Sequence, residues 1–173
     1  MKAKIWCLGL SRTGTTTLSH VLNEMGYRHI HYPTYEEMMS MNNDGASDIP
    51  VIPMYKELDR TFPNSKFIYT IRNKAEWLAS MEPYLERKRT WNQSSRQVQT
   101  RINVYKEPFF DYNTYSKAYD DHDKDVREYF ERRPNDFLVL DILGGDSPEK
   151  LYKFLGSDKT PPVKFPHKNK LKK

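Results

Sequence analysis

Nine residues near the start of the chain constrain its fold more than any others: Gly9-Leu10-Ser11-Arg12-Thr13-Gly14-Thr15-Thr16-Thr17. They follow an apolar run (Ile5, Trp6, Cys7, Leu8) and precede apolar positions at helical spacing (Leu18, Val21, Leu22, Met25). A strand, a tight glycine-containing turn and a helix start make an anion cradle. Backbone N–H groups and the positive end of the helix dipole converge there on one spot.

The stretch is one residue away from the G-x-x-x-x-G-K-[ST] phosphate loop. Thr15 stands where that motif has a lysine, the residue that reaches the β/γ-phosphates of a nucleoside triphosphate. Arg12, inside the turn, is the loop's one cation. The loop is therefore expected to hold a phosphate-like group, but not ATP or GTP in the usual manner.

A chain of 173 residues suits a single domain, with roughly 70% of its unfolded surface buried. We expect one α/β domain over residues 1–160 and a basic tail over 161–173. From Lys159 to Lys173 there are six lysines and no acid, so the remainder, with 22 basic and 23 acidic residues, is close to neutral. A nucleic-acid-binding domain spreads positive charge over a face, and this pattern does not suggest one. The single cysteine, Cys7, sits in the first apolar run and reads as a core residue. No apolar run approaches the ~20 residues of a membrane span. A cytoplasmic protein is the expectation.

The clearest strand is Phe67-Ile68-Tyr69-Thr70-Ile71, ending in Arg72-Asn73. Further strands are expected over about Lys4–Gly9, Arg28–His31 and Phe137–Leu140. Thr34 caps a short helix, Asn42 to Gly45 read as a turn-rich loop, and Pro53 opens another helix. Asn73 caps a helix holding Trp77, Leu78 and Met81, read as core. Helical pattern continues from Tyr84 to about Tyr105 and from Tyr115 to Arg133, where His122 reads as part of a charged face. Strands alternating with helices imply a parallel β-sheet flanked by helices, with ligands at the carboxyl ends of its strands.

Arg72 leaves the end of a strand, and Ser80 follows eight residues later in the next helix. Helical side chains lean toward the N-terminus, so the two can share a target. A guanidinium and a hydroxyl suit a second phosphate. Two anion sites on neighbouring strand ends fit a nucleoside carrying anionic groups at both ends.

These residues resemble the cytosolic-type sulfotransferases that use 3′-phosphoadenosine 5′-phosphosulfate (PAPS). Arg12-Thr13-Gly14-Thr15-Thr16 is similar to that family's 5′-phosphosulfate loop, and Arg72 with Ser80 to its 3′-phosphate motif. The likeness is greatest to a small bacterial-type branch with an R-T-G-T-T-[ST]-L loop. That branch also has the Asp48-Ile49-Pro50 and Lys56-Glu57-Leu58 segments, a Val139 to Ile142 strand and a Phe165 to Asn169 tail. The resemblance covers almost the whole chain. It implies a P-loop-containing, sulfotransferase-like nucleotide-binding fold. It also implies PAPS as cosubstrate, with Arg12, Thr13, Gly14, Thr15, Thr16, Thr17, Arg72 and Ser80 as the residues that bind it.

Three departures matter. Arg12 replaces the usual lysine, which changes reach and geometry. Thr17 stands where many relatives have an adenine-stacking tryptophan. The family's Lys-Thr-His segment, which carries the base, is not evident. Asp48 is then the first candidate to take the acceptor's proton, His31 the second and Glu36 the third; Asp48 reads equally well as a turn cap before Ile49-Pro50. Sulfuryl transfer is an in-line displacement close in logic to phosphoryl transfer, and its leaving group carries few enough charges that no metal is required in principle. Asp141, after an apolar strand, imitates the acid that holds magnesium in nucleotide hydrolases.

Two rival readings are a P-loop small-molecule kinase, disfavoured by Thr15, and a non-catalytic nucleotide-binding protein of the same fold. The acceptor, a small molecule or glycan, is not legible. The segment from Met81 to Asp120 is expected to line its side, with Tyr84, Trp91, Tyr105, Phe109, Phe110, Tyr112 and Tyr115 available for stacking.

Overall fold

A computed structural model describes residues 3–89 and 93–166 of the chain. Trp91 and the His167 to Asn169 end of the expected tail motif lie outside the described residues, as does most of the basic tail. Five strands, β1 (Ile5–Cys7), β2 (His29–His31), β3 (Gly45–Ser47), β4 (Lys66–Thr70) and β5 (Phe137–Leu140), form one sheet in the order β2-β3-β1-β4-β5. Every pairing is parallel. The α/β class and the parallel sheet expected from the alternation of elements are the ones observed.

Side-chain alternation along the strands builds two core layers. Ile5, Cys7, Ile68 and Leu140 face α1 (Thr15–Glu24) and the short C-terminal helix, with Leu18, Val21, Leu22 and Leu151. Trp6, Leu8, Phe67 and Tyr69 face the other way, onto Tyr55, Leu58, Val126 and Phe130. Those come from α3 (Tyr55–Thr61) and α6 (Tyr112–Phe130); α2 (Tyr35–Met39) lies between β2 and β3 in the chain. Cys7 is fully buried, as expected, and burial pushes its thiol up to about 11.

A third cluster sits at the carboxyl ends of the strands. Leu10, Ile49 and Ile52 pack there against Trp77, Leu78, Met81 and Leu85 of α4 (Lys74–Arg89), Tyr105 of α5 (Ser95–Tyr105) and Tyr115 of α6. Trp77 and Met81 are core residues, as the sequence suggests. Trp77, Tyr105 and Tyr115 stack within 4.7–6.2 Å of one another. This aromatic block supports the phosphate-loop segment from beneath. The Trp77 indole Nε1 donates to Ser11 O at 2.9 Å, and the Ser11 N–H donates to the Tyr105 hydroxyl at 3.0 Å.

Two expectations change. Gly45–Ser47, read as part of a loop, is β3, wedged between β2 and β1. Gly-Ala-Ser carries no hydrophobic alternation to announce a strand, and glycine is required because a Cβ at residue 45 would meet Ile5 O at 1.8 Å. His122, read on a charged face, is instead half-buried, with its Nε2 2.7 Å from Leu8 O and its ring edge-on to Tyr69 at 5.4 Å. α7 (Pro148–Phe154) closes the chain's helical inventory among the described residues. No helix there is long and apolar enough to cross a membrane.

Candidate functional site

The loop after β1 turns through two left-handed residues, Arg12 (φ 72°) and Gly14 (φ 102°). Gly14 caps α1 with no side-chain hydrogen bond, so no side chain occupies the cap of the helix start. A Cβ there would meet Ile142 at 3.2 Å in a conformation that disfavours side chains. Such a bare N-terminus on a ten-residue helix is suited to an anion.

The four threonines of the loop divide in role. Thr13 is buried and turned inward, its Oγ1 donating to Leu10 O at 2.7 Å and lying 2.8 Å from Thr70 Oγ1. That side chain ties the loop to β4. Thr15 is also buried. Thr17 donates to Pro166 O at 3.3 Å and is buried, so it offers no stacking face. Thr16 is the hydroxyl that reaches outward, and its Oγ1 lies 3.1 Å from His31 Nε2.

Arg12 and the second junction come together. The Arg12 Nε donates to Ser80 Oγ at 3.3 Å, so the first loop and the second strand–helix junction, separate in the sequence, touch in space. Burial lowers the Arg12 pKa, and the nearby positive charges of Arg72 and Arg87 lower it further. The guanidinium also faces the Tyr84 ring at 5.5 Å. Arg72 has a buried Nε with no hydrogen-bond partner among the described residues. Glu76 Oε2 stands 3.6 Å from it, within ion-pairing range but beyond a hydrogen bond, on an exposed side chain. Gathered cations with an orphaned donor leave a place for an anion.

Asp48 and His31, the first two candidates for the base, are one unit. Asp48 Oδ2 lies 3.3 Å from His31 Nε2, and the His31 Nδ1 lies 3.1 Å from Ser47 Oγ. Asp48 Oδ1 accepts the Ile49 N–H at 2.8 Å and the Ser11 hydroxyl at 3.2 Å. The turn-capping reading and the acid–base reading therefore use different oxygens of the same carboxylate. Asp48 has φ 83°, a left-handed backbone that aspartate tolerates better than most residues. Glu36 lies exposed on α2.

A cavity of about 190 Å³ opens beside this pair, lined by Asp48, His31, Tyr84, Lys88, Gln97 and Arg101 among others. Of the aromatics expected on this side, Tyr84 and Tyr105 line it. Tyr115 packs behind as core, while Tyr112 and Phe109 are exposed. Sequence reasoning missed Ser11, Ser47, Lys88 and Arg101. Only the polar residues on the helical pattern of α4 and α5 could have signalled the last two.

Other candidates are used elsewhere. Asp141 Oδ1 accepts the Gly144 N–H at 2.7 Å, shaping the turn after β5. Lys56 pairs with Asp125 at 2.6 Å. His29 is buried and hydrogen-bonded to Ser19 at 3.0 Å through Nδ1. Among the described residues no group of three His, Cys, Asp or Glu could hold a metal.

A family model described as a sulfotransferase domain matches residues 34–173. The matched span contains Asp48, Arg72 and Ser80; the loop carrying Arg12 lies ahead of it. No curated protein matches the chain.

Proposed function

The chain belongs to the sulfotransferase domain family, and on that premise we propose that it transfers a sulfuryl group from PAPS to a hydroxyl or amine of an acceptor, releasing 3′-phosphoadenosine 5′-phosphate (PAP). The observation that carries this reading is the approach of His31 Nε2 to both Thr16 Oγ1, at 3.1 Å, and Asp48 Oδ2, at 3.3 Å. It sets an acid–base pair one contact away from the helix N-terminus that would hold the donor.

The roles follow from chemistry. The N–H groups at the start of α1 and the Arg12 guanidinium take the 5′-phosphosulfate. Arg72, through an Nε that no described residue hydrogen-bonds, and Ser80 take the 3′-phosphate. The acceptor oxygen or nitrogen attacks sulfur as the bond from sulfur to the 5′-phosphate oxygen breaks. Negative charge grows on that oxygen, where Arg12 and the helix dipole stabilise it. The acceptor's proton passes to Asp48 Oδ2, because Oδ1 is already filled by Ile49 and Ser11. His31 orients the carboxylate and stays within reach of the same proton. A kinase is disfavoured by Thr15, which leaves the loop without the lysine that grips a triphosphate.

Conversion of PAPS to PAP, followed with a panel of phenols, alcohols and amines, tests the assignment. Arg12→Ala is expected to lower turnover by on the order of 10²–10³, while weakening PAPS binding far less. Asp48→Asn is expected to slow turnover with PAP affinity intact, and less so for acidic phenols, which need less help from a base. Full activity in Asp48→Asn would move the base to His31. An Arg12→Ala variant that loses binding alone would favour a non-catalytic nucleotide-binding role.

A further inference from the structure

The cavity beside Asp48 is lined by charges of both signs. Its carboxylate is Asp48, already engaged by Ser11, the Ile49 N–H and His31. Its arginine and lysine are Arg101 and Lys88. Arg101 is only 5% exposed. Its Nε donates to Pro108 O at 2.8 Å and its Nη2 to Gln93 Oε1. Both are neutral oxygens, and among the described residues no carboxylate forms an ion pair with Arg101. Buried charge without a counter-ion is costly, and a native fold keeps it where something else supplies the opposite charge. Lys88 is half-buried next to it, with Nζ 5.6 Å from the Tyr84 ring. Burial, and then the neighbouring Arg101 and Arg87, lower the Lys88 pKa. Both cations belong to helices packed on the aromatic block, α4 and α5, rather than to the loop that faces the donor.

We propose that Arg101 and Lys88 bind a carboxylate on the acceptor, so that the acceptor is a small hydroxy acid lying with its hydroxyl at Asp48 and its carboxylate at these two cations. This rests on the sulfuryl-transfer reading above and adds the substrate's chemical class. Tyr84 lines the same cavity, its ring 5.5 Å from the Arg12 guanidinium. About 190 Å³ is below the roughly 300–1,000 Å³ of sites for drug-sized ligands, which suits an acceptor of one ring rather than an oligosaccharide.

Binding separates this proposal from the transfer reaction. Titration calorimetry of the full chain, with and without PAP, would use 3-hydroxybenzoate, 4-hydroxybenzoate and mandelate, each against its carboxamide. The acids are expected to bind at least about ten-fold more tightly than the amides, the effect of one charge-assisted contact. Lys88→Gln, on a half-exposed position that spares the fold, is expected to remove most of that preference and leave the amides unchanged. Arg101→Lys keeps the charge but not the fork, and is expected to retain part of the preference. Amides binding as tightly as acids in every pair would overturn the proposal, as would Lys88→Gln weakening both alike. Failure of any acceptor to be sulfated would count against the transfer reading, while the acid-to-amide ratio would still decide the charge of the pocket.

Discussion

Arg72 is the sharpest case at the residue scale, because its buried Nε has no hydrogen-bond partner among the described residues and only the exposed Glu76 within ion-pairing range, at 3.6 Å. Its carbonyl is held by the Tyr119 hydroxyl at 2.7 Å, so the backbone is fixed while the guanidinium waits. Arg72→Ala is therefore expected to weaken PAP binding about ten- to a hundred-fold, the worth of a charge-assisted contact. Adenosine 5′-phosphosulfate, which lacks the 3′-phosphate, should be affected little. Calorimetry with both nucleotides checks this, and equal losses would show that Arg72 only supports the fold. The sequence singles out Arg12, Arg72 and Ser80 by residue type and spacing, and Asp48 by its place ahead of the second motif. It does not record their contacts. Arg12 touching Ser80 and His31 touching Asp48 join positions 68 and 17 residues apart, and nothing in the local sequence records such a meeting.

At the scale of elements, β2 couples the site to the core. His31 at its end serves the site, while His29, two residues earlier, is buried against Ser19 of α1. Burial lowers the His29 pKa from 6.5 to about 3. The folded protein thus keeps this ring neutral where the unfolded chain would protonate it. Stability should be unaffected by His29 above pH 6.5 and should fall as the pH drops from there toward about 3. The slope has a ceiling of about 1.4 kcal/mol per pH unit for one group. Urea midpoints measured between pH 7 and pH 4 should show that decline, and His29→Asn should flatten it. An identical decline in the variant would place the acid sensitivity in other groups, such as the half-buried His122, whose pKa is also lowered by desolvation. Long, periodic elements were readable here: α1, β4 and β5 follow from their apolar spacing. β3 was not, because three small residues are made into a strand by the neighbours on either side. α4 runs on through Pro83 to Arg89 for a similar reason. Leu78, Met81 and Leu85 bury the face that holds it in place.

Across the whole molecule, the parallel sheet sends the carboxyl ends of β1, β2, β3 and β4 to one edge, and Arg12, His31, Asp48 and Arg72 lie at or shortly after those ends. The class of fold followed from alternating strands and helices, but the order β2-β3-β1-β4-β5 did not, since it depends on a strand with no pattern of its own. The central claim is that this edge is built for a nucleoside with an anion at each end. The most direct test is calorimetric titration of the chain with PAP, AMP and ATP with Mg²⁺. PAP should bind most tightly, by about ten-fold or more over AMP, because only PAP fills both the α1 N-terminus and the Arg72–Ser80 site. Tighter binding of ATP with Mg²⁺ would contradict the account and turn the reading toward a kinase.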